Sequence, residues 1–300
     1  MIASLSYLTS AEVKLLAPEL TLFLFPVGGI EGHGDHLPIG TKLIQAEAYS
    51  AEIARNLQER MPLWNFILAP VLPLSVDSIT NHFTLNVRPH VVRDAVVDQC
   101  EQLKRVGFLN FAAVSSHLTP KQLTALEDAA KIVSRTKWFR GRGAQLISVT
   151  GAWVDSKVVW DSPMIALPKE HAGAFDTGLM MSLNPQLVKS QAQTLPAVPA
   201  PKASFARFMQ FMRQELDGYW GRPSEASSEI AKSEMVREVD LTVQKMIPWL
   251  EQGKGQGVFR SGYRYFPMNG SFFKAYILAV IFFFVMLLWV IWGVKDAFEG

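Results

Sequence analysis

The sequence has little cysteine and no excess of charge of either sign. Cys100 is the single cysteine among 300 residues, which excludes an intrachain disulfide framework and a cysteine-rich zinc module. The 29 Lys and Arg residues against 27 Asp and Glu residues give a formal net charge of +2, so bulk electrostatics predicts no nucleic-acid partner. With 49% hydrophobic and 19% charged residues, the composition excludes a disordered chain and predicts a large buried core.

Charge is also absent from one long stretch of the sequence. Residues 275–294 (AYILAVIFFFVMLLWVIWGV) contain no charged side chain, and a helix of that length extends about 30 Å, the thickness of a bilayer core. We therefore expect a transmembrane helix here, with the lipid bilayer as a partner. Basic residues are in excess before this run, so the positive-inside rule predicts a membrane protein whose N-terminal domain is cytoplasmic. The expected organisation is a domain over residues 1–250, a Gly-rich basic linker over 251–274, the helix, and a short tail over 295–300.

The rest of the chain alternates between apolar runs and amphipathic segments. Strands are predicted over residues 20–27, 64–74, 108–114 and 144–150. Helices are predicted over residues 43–60, 91–106, 121–132 and 224–246. Strands and helices in alternation predict an α/β fold with a mostly parallel sheet covered by helices. Functional residues are then expected at the carboxyl ends of the strands.

Three clusters of imidazole and carboxylate side chains follow the predicted strands. They contain Glu31, His33, Asp35 and His36; then His117 and Thr119; then Glu170, His171 and Asp176. Carboxylates and imidazoles are the ligands that zinc and manganese accept in proteins, and they also serve as general acids and bases. Each cluster taken alone also fits a polar turn that caps the following helix. Three such clusters at strand ends together favour one catalytic or metal site.

Four segments in order carry a resemblance to a known family. They are FPVGGIEGHGDHLPIGT (residues 25–41), GFLNFAAVSSHLTP (107–120), EHAGAFDTGLMMSLNPQLV (170–188) and GYWGRPSEA (218–226). Together they resemble the creatininase family over roughly residues 5–250, and the first and third segments are long enough to be specific.

This resemblance implies a three-layer α/β/α fold and a homo-oligomer. It implies hydrolysis of an amide C–N bond in a small, often cyclic molecule at a site with two zinc or manganese ions. Carried over residue by residue, the resemblance places Glu31, His33 and His117 at ligand positions, with Asp176 as a ligand or close to the ions. It places His171 with Glu170 as a proton-handling pair. Lys42, His36 and Thr119 are the further pocket residues.

Two departures from the family pattern bear on activity. Lys42 stands where the family carries an aspartate that bridges the two ions, and a protonated lysine cannot ligate a metal and repels a dication. Thr119 is likewise a poor replacement for the glutamate ligand that some members carry.

Three arrangements remain open from the sequence. One divalent ion could persist on the remaining ligands. The Lys42 ammonium could take the ion's place, pairing with Glu31 and Asp176, so that no metal binds. A neutral Lys42 could itself act as a base or nucleophile. The first arrangement predicts a membrane-anchored amidohydrolase. The second predicts an inactive creatininase-fold pseudoenzyme that serves as a structural or interaction subunit of a membrane-associated complex.

Overall fold

The fold is described from a computed structural model of the 300-residue chain. The described residues are 1–76, 83–134, 143–149, 170–199, 218–253, 256–261 and 278–290.

Six parallel strands form the central sheet of the described chain. They are β1 (Ile2–Ser4), β2 (Thr21–Gly28), β3 (Asn65–Leu68), β4 (Leu72–Pro73), β5 (Asn110–Ser115) and β6 (Gln145–Ser148). The strand order is β1-β3-β2-β5-β6, and β4 pairs with the end of β2 beyond β3. All eight residues of β2 are buried, because the central strand of a parallel sheet is covered on both faces.

Six labelled helices flank or cap this sheet. They are α1 (Ser10–Lys14), α2 (Thr41–Arg60), α3 (Pro89–Arg105), α4 (Pro120–Val133), α5 (Ala174–Leu183) and α6 (Ser228–Gln252). Their ends follow ordinary capping chemistry: Pro89 and Pro120 begin α3 and α4, where the missing N–H costs nothing. Helix α6 ends at Gly253 in the left-handed conformation, with φ of 67°, which glycine adopts without steric cost.

Alternation along β2 separates two hydrophobic cores. Leu22 and Leu24 pack with apolar residues of α2, α5 and α6 on one face of the sheet. Phe23 and Phe25 pack with apolar residues of α3 and α4 on the other face. Successive side chains of a strand point to opposite faces, so the strand joins both cores, and the fold is a helix–sheet–helix sandwich with a parallel sheet as predicted.

The predicted elements and the observed ones differ mainly at one strand. The run predicted as one strand over residues 64–74 contains two strands, β3 and β4. Pro70 lies between them, and a proline has no N–H for a ladder hydrogen bond. The short elements β1 and α1 were not predicted, since three to five residues are too few for a periodic pattern.

The prediction of a transmembrane helix over residues 275–294 is contradicted. In the part of the chain that the structure describes, no helix is both long enough and apolar enough to cross a membrane. The described helical residues of that run are 278–290. Residues 275–277 and 291–294 lie outside the described residues. The membrane localisation inferred from this run is therefore wrong, and the bilayer as a partner stays an untested prediction.

Part of the segment expected to be a linker packs on the domain. Residues 256–261 are described, and there Phe259 is 1% exposed, with its ring centroid 6.4 Å from that of Trp249. The backbone N–H of Ser261 donates a 2.6 Å hydrogen bond to the buried carboxylate of Glu127 on α4. These contacts hold the chain after α6 against the edge of the sheet near β6.

Candidate metal centre

The polar clusters meet where β2 and β5 end side by side. Val27 pairs with Ser115 at the carboxyl ends of these strands, and the loops that follow carry Glu31 and His117. Helix α2 begins directly over this edge, so close that a Cβ on Gly28 would lie 2.5 Å from the carbonyl oxygen of Lys42. Only glycine at position 28 allows this approach, which brings Lys42 to the same edge of the sheet.

Three buried side chains form a group that could hold a metal ion. Glu31, His33 and His171 each offer one ligand atom, and these atoms lie within 4.8 Å of one another. Glu31 and His33 are fully buried and His171 is 8% exposed. The two imidazole rings are in contact, with centroids 4.2 Å apart. We refer to these three residues as the triad.

Hydrogen bonds leave each triad imidazole with a free lone pair. His33 Nδ1 lies 3.0 Å from the backbone carbonyl oxygen of Glu31, and His171 Nε2 lies 2.8 Å from that of Gly32. A carbonyl can only accept, so these nitrogens carry the proton in the assigned tautomers. The lone pair is then on Nε2 of His33 and on Nδ1 of His171. His33 Nε2 is buried and has no hydrogen-bond partner among the residues that the structure describes, so its lone pair could bind a metal ion.

The electrostatics of the two imidazoles favour the neutral, metal-binding form. Burial, followed by the neighbouring His171, lowers the pKa of His33 to about 3. Burial also lowers the pKa of His171. Metal ligation needs a deprotonated imidazole nitrogen, so both rings already have the required charge state at neutral pH.

His117 lies against the triad but has both ring nitrogens occupied. Its Nδ1 lies 3.1 Å from Oε1 of Glu31, and its Nε2 lies 2.9 Å from the carbonyl oxygen of Val76. Two acceptors require two N–H donors, so the ring is an imidazolium. Burial alone would lower the pKa of His117, but the Glu31 carboxylate outweighs it and the pKa is raised. In this arrangement His117 orients Glu31 and offers no free lone pair, and its role as a metal ligand stays a prediction.

The same ion pair fixes the charge of Glu31. Burial alone would raise the pKa of Glu31, but the charge and hydrogen bond of His117 bring this pKa well below its usual range. An ionised carboxylate between imidazoles is a hard, anionic ligand for a divalent cation.

Asp176, expected as a ligand or close to the ions, is held by nitrogen donors. Lys42 Nζ lies 2.7 Å from its Oδ1 and Gln45 Nε2 lies 2.9 Å from the same oxygen. The backbone N–H of Ala172 donates to Oδ2 at 3.0 Å. Burial would raise the pKa of Asp176, but the Lys42 ammonium dominates and the pKa is lowered.

The remaining predicted site residues form structural hydrogen bonds around the triad. Glu170 accepts from the N–H of Ala174 at 3.0 Å and lies 3.6 Å from Nε of Arg222. His36 Nε2 lies 3.0 Å from the carbonyl oxygen of Ala172 and 3.1 Å from the hydroxyl of Thr177. Thr119 donates to the carbonyl oxygen of Val76 at 2.7 Å. These contacts hold loops and helix ends in place beside the triad, and the site roles expected for the three side chains stay predictions.

Two residues that contact the site were not singled out from the sequence. Gln45 lies one turn after Lys42 on α2 and bonds both Lys42 and Asp176; the i, i+3 spacing was its signal. Trp220 packs on His171 with ring centroids 5.3 Å apart and forms a two-bond backbone bridge with it. The sequence pointed to Trp220 only because it lies in one of the four segments that carry the family resemblance.

The described residues fit one divalent ion better than two. The triad supplies one anionic oxygen and two neutral imidazoles, which is the donor set of a three-ligand catalytic site that keeps an open position. A second ion would need an anion that bridges to it, and the carboxylate of Asp176 already accepts from an ammonium, an amide and a backbone N–H.

Comparisons with known proteins agree on one family. The family model described as creatininase, creatinine amidohydrolase, matches residues 6–246. A search among curated proteins found no match.

Solved structures share the fold at low identity. A creatinine amidohydrolase (creatininase) is 19% identical with a TM-score of 0.61, over 82% of this chain and 96% of that one. A creatininase described with Mn is 20% identical with a TM-score of 0.60, over 82% of this chain and 97% of that one. A creatininase mutant of Zn-Zn type is 17% identical with a TM-score of 0.61, over 82% of this chain and 96% of that one.

Proposed function

The chain belongs to the creatininase family, and from that premise we propose that it is a metal-dependent hydrolase of an amide C–N bond in a small molecule. The proposal assigns one zinc or manganese ion to the triad of Glu31, His33 and His171. The observation that carries it is the buried His33 Nε2, which has a lone pair and two other ligand groups within 4.8 Å, and which bonds none of the described residues.

A bound ion and the protein side chains would contribute different parts of the reaction. When bound, a divalent ion supplies Lewis-acid polarisation of an amide carbonyl and a nucleophilic water at neutral pH. Glu31, His33 and His171 would hold it. His117 orients Glu31 through the 3.1 Å hydrogen bond and keeps a proton at Nδ1 beside the triad. Trp220 covers one side of His171 and excludes water there.

The proton-handling roles implied by the resemblance are divided differently in this proposal. His171 has one free lone pair, which the ion would use, so His171 serves as a ligand rather than as a base. Glu170 remains the proposed proton carrier, because burial raises its pKa and it precedes His171 in the chain. The substrate is a small amide, cyclic or linear.

Metal content and activity of the full chain test this proposal. After incubation with Zn²⁺ or Mn²⁺ and removal of free metal, we expect about one equivalent of bound metal. His33→Ala should bind metal at least about tenfold more weakly, whereas the control His90→Ala, on α3 outside the site, should bind as the wild type does. A panel of small amides, including creatinine and open-chain amides, should show hydrolysis that a chelator abolishes.

Two results would count against the proposal. Wild-type protein that holds less than about a tenth of an equivalent would favour the inactive scaffold instead. Hydrolysis that survives full metal removal would show that another group carries the reaction.

From the resemblance we also propose a homo-oligomer. Light scattering on the purified full chain should give a mass that is a multiple of 33.5 kDa, and a strictly monomeric mass would contradict this.

A further inference from the structure

A fixed positive charge lies beside the triad at the start of α2. Lys42 Nζ donates to Oδ1 of Asp176 at 2.7 Å and to Oε1 of Gln45 at 3.3 Å. The side chain of Lys42 is 12% exposed and that of Asp176 is 8% exposed. An ion pair this well buried is screened little by solvent, so the ammonium acts at close range on the neighbouring side chains.

The Lys42–Asp176 pair lies at the same edge of the sheet as the triad. Helix α2 begins over the end of β2, where a Cβ on Gly28 would lie 2.5 Å from the carbonyl oxygen of Lys42. Asp176 in turn accepts a hydrogen bond from the N–H of Ala172, the residue that follows His171. The ion pair and the triad are therefore neighbours.

A second divalent ion does not fit beside the triad. The carboxylate that would ligate it, Asp176, has both oxygens occupied by donors from Lys42, Gln45 and Ala172. An ammonium at 2.7 Å from Oδ1 would also repel a dication at the same oxygen. One structural neighbour is a Zn-Zn form of a creatininase mutant, so the shared fold can carry two ions where its side chains permit.

We propose that the ammonium of Lys42 replaces the second metal ion of the site, so that the chain is a one-ion hydrolase whose second positive charge is a side chain. The inference rests on the proposed function for the ion at the triad, while the assignment of Lys42 stands on the contacts of Asp176. It explains why a site in an amidohydrolase fold combines three ligands with a lysine–aspartate pair.

Metal stoichiometry of a charge-reversed variant tests the replacement. Lys42→Asp removes the ammonium and adds a carboxylate at the same edge, so the bound metal should rise by about one equivalent over the wild type. The matched control is Lys232→Asp, an exposed position on α6, which should leave the stoichiometry unchanged. Elemental analysis after incubation with Mn²⁺ or Zn²⁺ gives the count directly.

The outcomes separate this inference from the proposed function. Wild type with about one equivalent and Lys42→Asp with about two supports both. Wild type and Lys42→Asp with equal content overturns the replacement by Lys42. Wild type without metal overturns the proposed function, and a gain of metal in Lys42→Asp would then still support the replacement. Two equivalents in the wild type overturn it outright.

A second variant covers the case in which Lys42→Asp does not fold. Asp176→Asn keeps the size of the side chain and one of its two acceptor oxygens but removes the negative charge. The wild-type metal content should therefore be retained if Asp176 pairs with an ammonium rather than a metal. A fall to less than about half of the wild-type content, with unchanged circular dichroism, would show that Asp176 is a ligand and would overturn the proposal.

Discussion

One face of α2 contacts two buried carboxylates whose pKa values move in opposite directions. Lys42 and Gln45 bond Asp176 on α5, and two turns after Lys42 the hydroxyl of Tyr49 donates to Glu238 on α6 at 2.6 Å. Both residues are buried, and burial by itself raises the pKa of each. The pKa of Asp176 is nevertheless lowered, whereas burial raises that of Glu238 to about 7.

The difference lies in the partners and not in the burial. Asp176 faces a full positive charge, and Glu238 faces a neutral phenol, with Glu234 adding negative charge nearby. The first region keeps an ionised carboxylate beside the site. The second region keeps a carboxyl group that is about half protonated at pH 7 and largely protonated at lower pH. Whether a buried carboxyl group is ionised here therefore depends on the α2 side chain that bonds it, the Lys42 ammonium or the Tyr49 phenol.

The largest effect is expected from removing the cation of the first region. Lys42→Met leaves the Asp176 carboxylate buried without its counter-charge, which should cost about 3–5 kcal/mol of unfolding free energy. Urea denaturation followed by circular dichroism measures it, with Lys232→Met as the exposed control. The double variant Lys42→Met, Asp176→Asn should recover most of the lost unfolding free energy, because it leaves no unpaired carboxylate buried. If Lys42→Met unfolds at the wild-type urea concentration, the ion pair contributes nothing and the comparison fails.

A smaller effect, of opposite sign, is expected in the second region. The pKa of Glu238 is raised in the folded state from 4.5 to about 7, so the folded protein binds this proton more tightly than the unfolded chain. The stabilisation is complete below about pH 4.5 and is lost as pH rises through about 7. Glu238→Gln should therefore stabilise the protein at pH 8 by up to about 3 kcal/mol and have little effect at pH 4.5.

Urea denaturation at several pH values between these limits checks that prediction. The exposed Glu229→Gln, in the first turn of α6, is the control for loss of one charge. Equal stability of Glu238→Gln and wild type at pH 8 would mean that Glu238 is ionised without cost.

The smallest effect is expected from the phenol that bonds Glu238. Tyr49→Phe removes the 2.6 Å hydrogen bond, which is stronger when the carboxylate is charged. The loss of stability should be about 1–2 kcal/mol at pH 8 and smaller at pH 5. Chemical denaturation at the two pH values tests it. A loss that is larger at pH 5 than at pH 8 would indicate that the hydroxyl packs in the core rather than supporting a charge.

Much of the fold follows from local patterns in the chain. The apolar run 20–27 lies in β2 and the amphipathic segments 43–60 and 91–106 lie in α2 and α3. A parallel sheet with loops at its carboxyl edge also follows, because alternating strands and helices leave few other arrangements. The apolar run 275–294 predicted a membrane-spanning helix from its length and composition, and no helix among the described residues is both long and apolar enough to be one.

The chemistry of the site was predictable as a set of residue types but not as a set of partners. The clusters around Glu31, His117 and His171 could be expected to meet, because each was placed after a strand of a parallel sheet and the carboxyl ends of such strands lie at one edge. Which imidazole keeps a free lone pair depends on where each ring nitrogen finds an acceptor: His33 and His171 each bond one carbonyl, and His117 bonds an acceptor at both nitrogens. Those acceptors come from residues up to 139 positions away, so hydrophobic periodicity and residue spacing, which are local properties, cannot assign them. Only the packing of the loops against one another makes two histidines candidate ligands and the third a charged support.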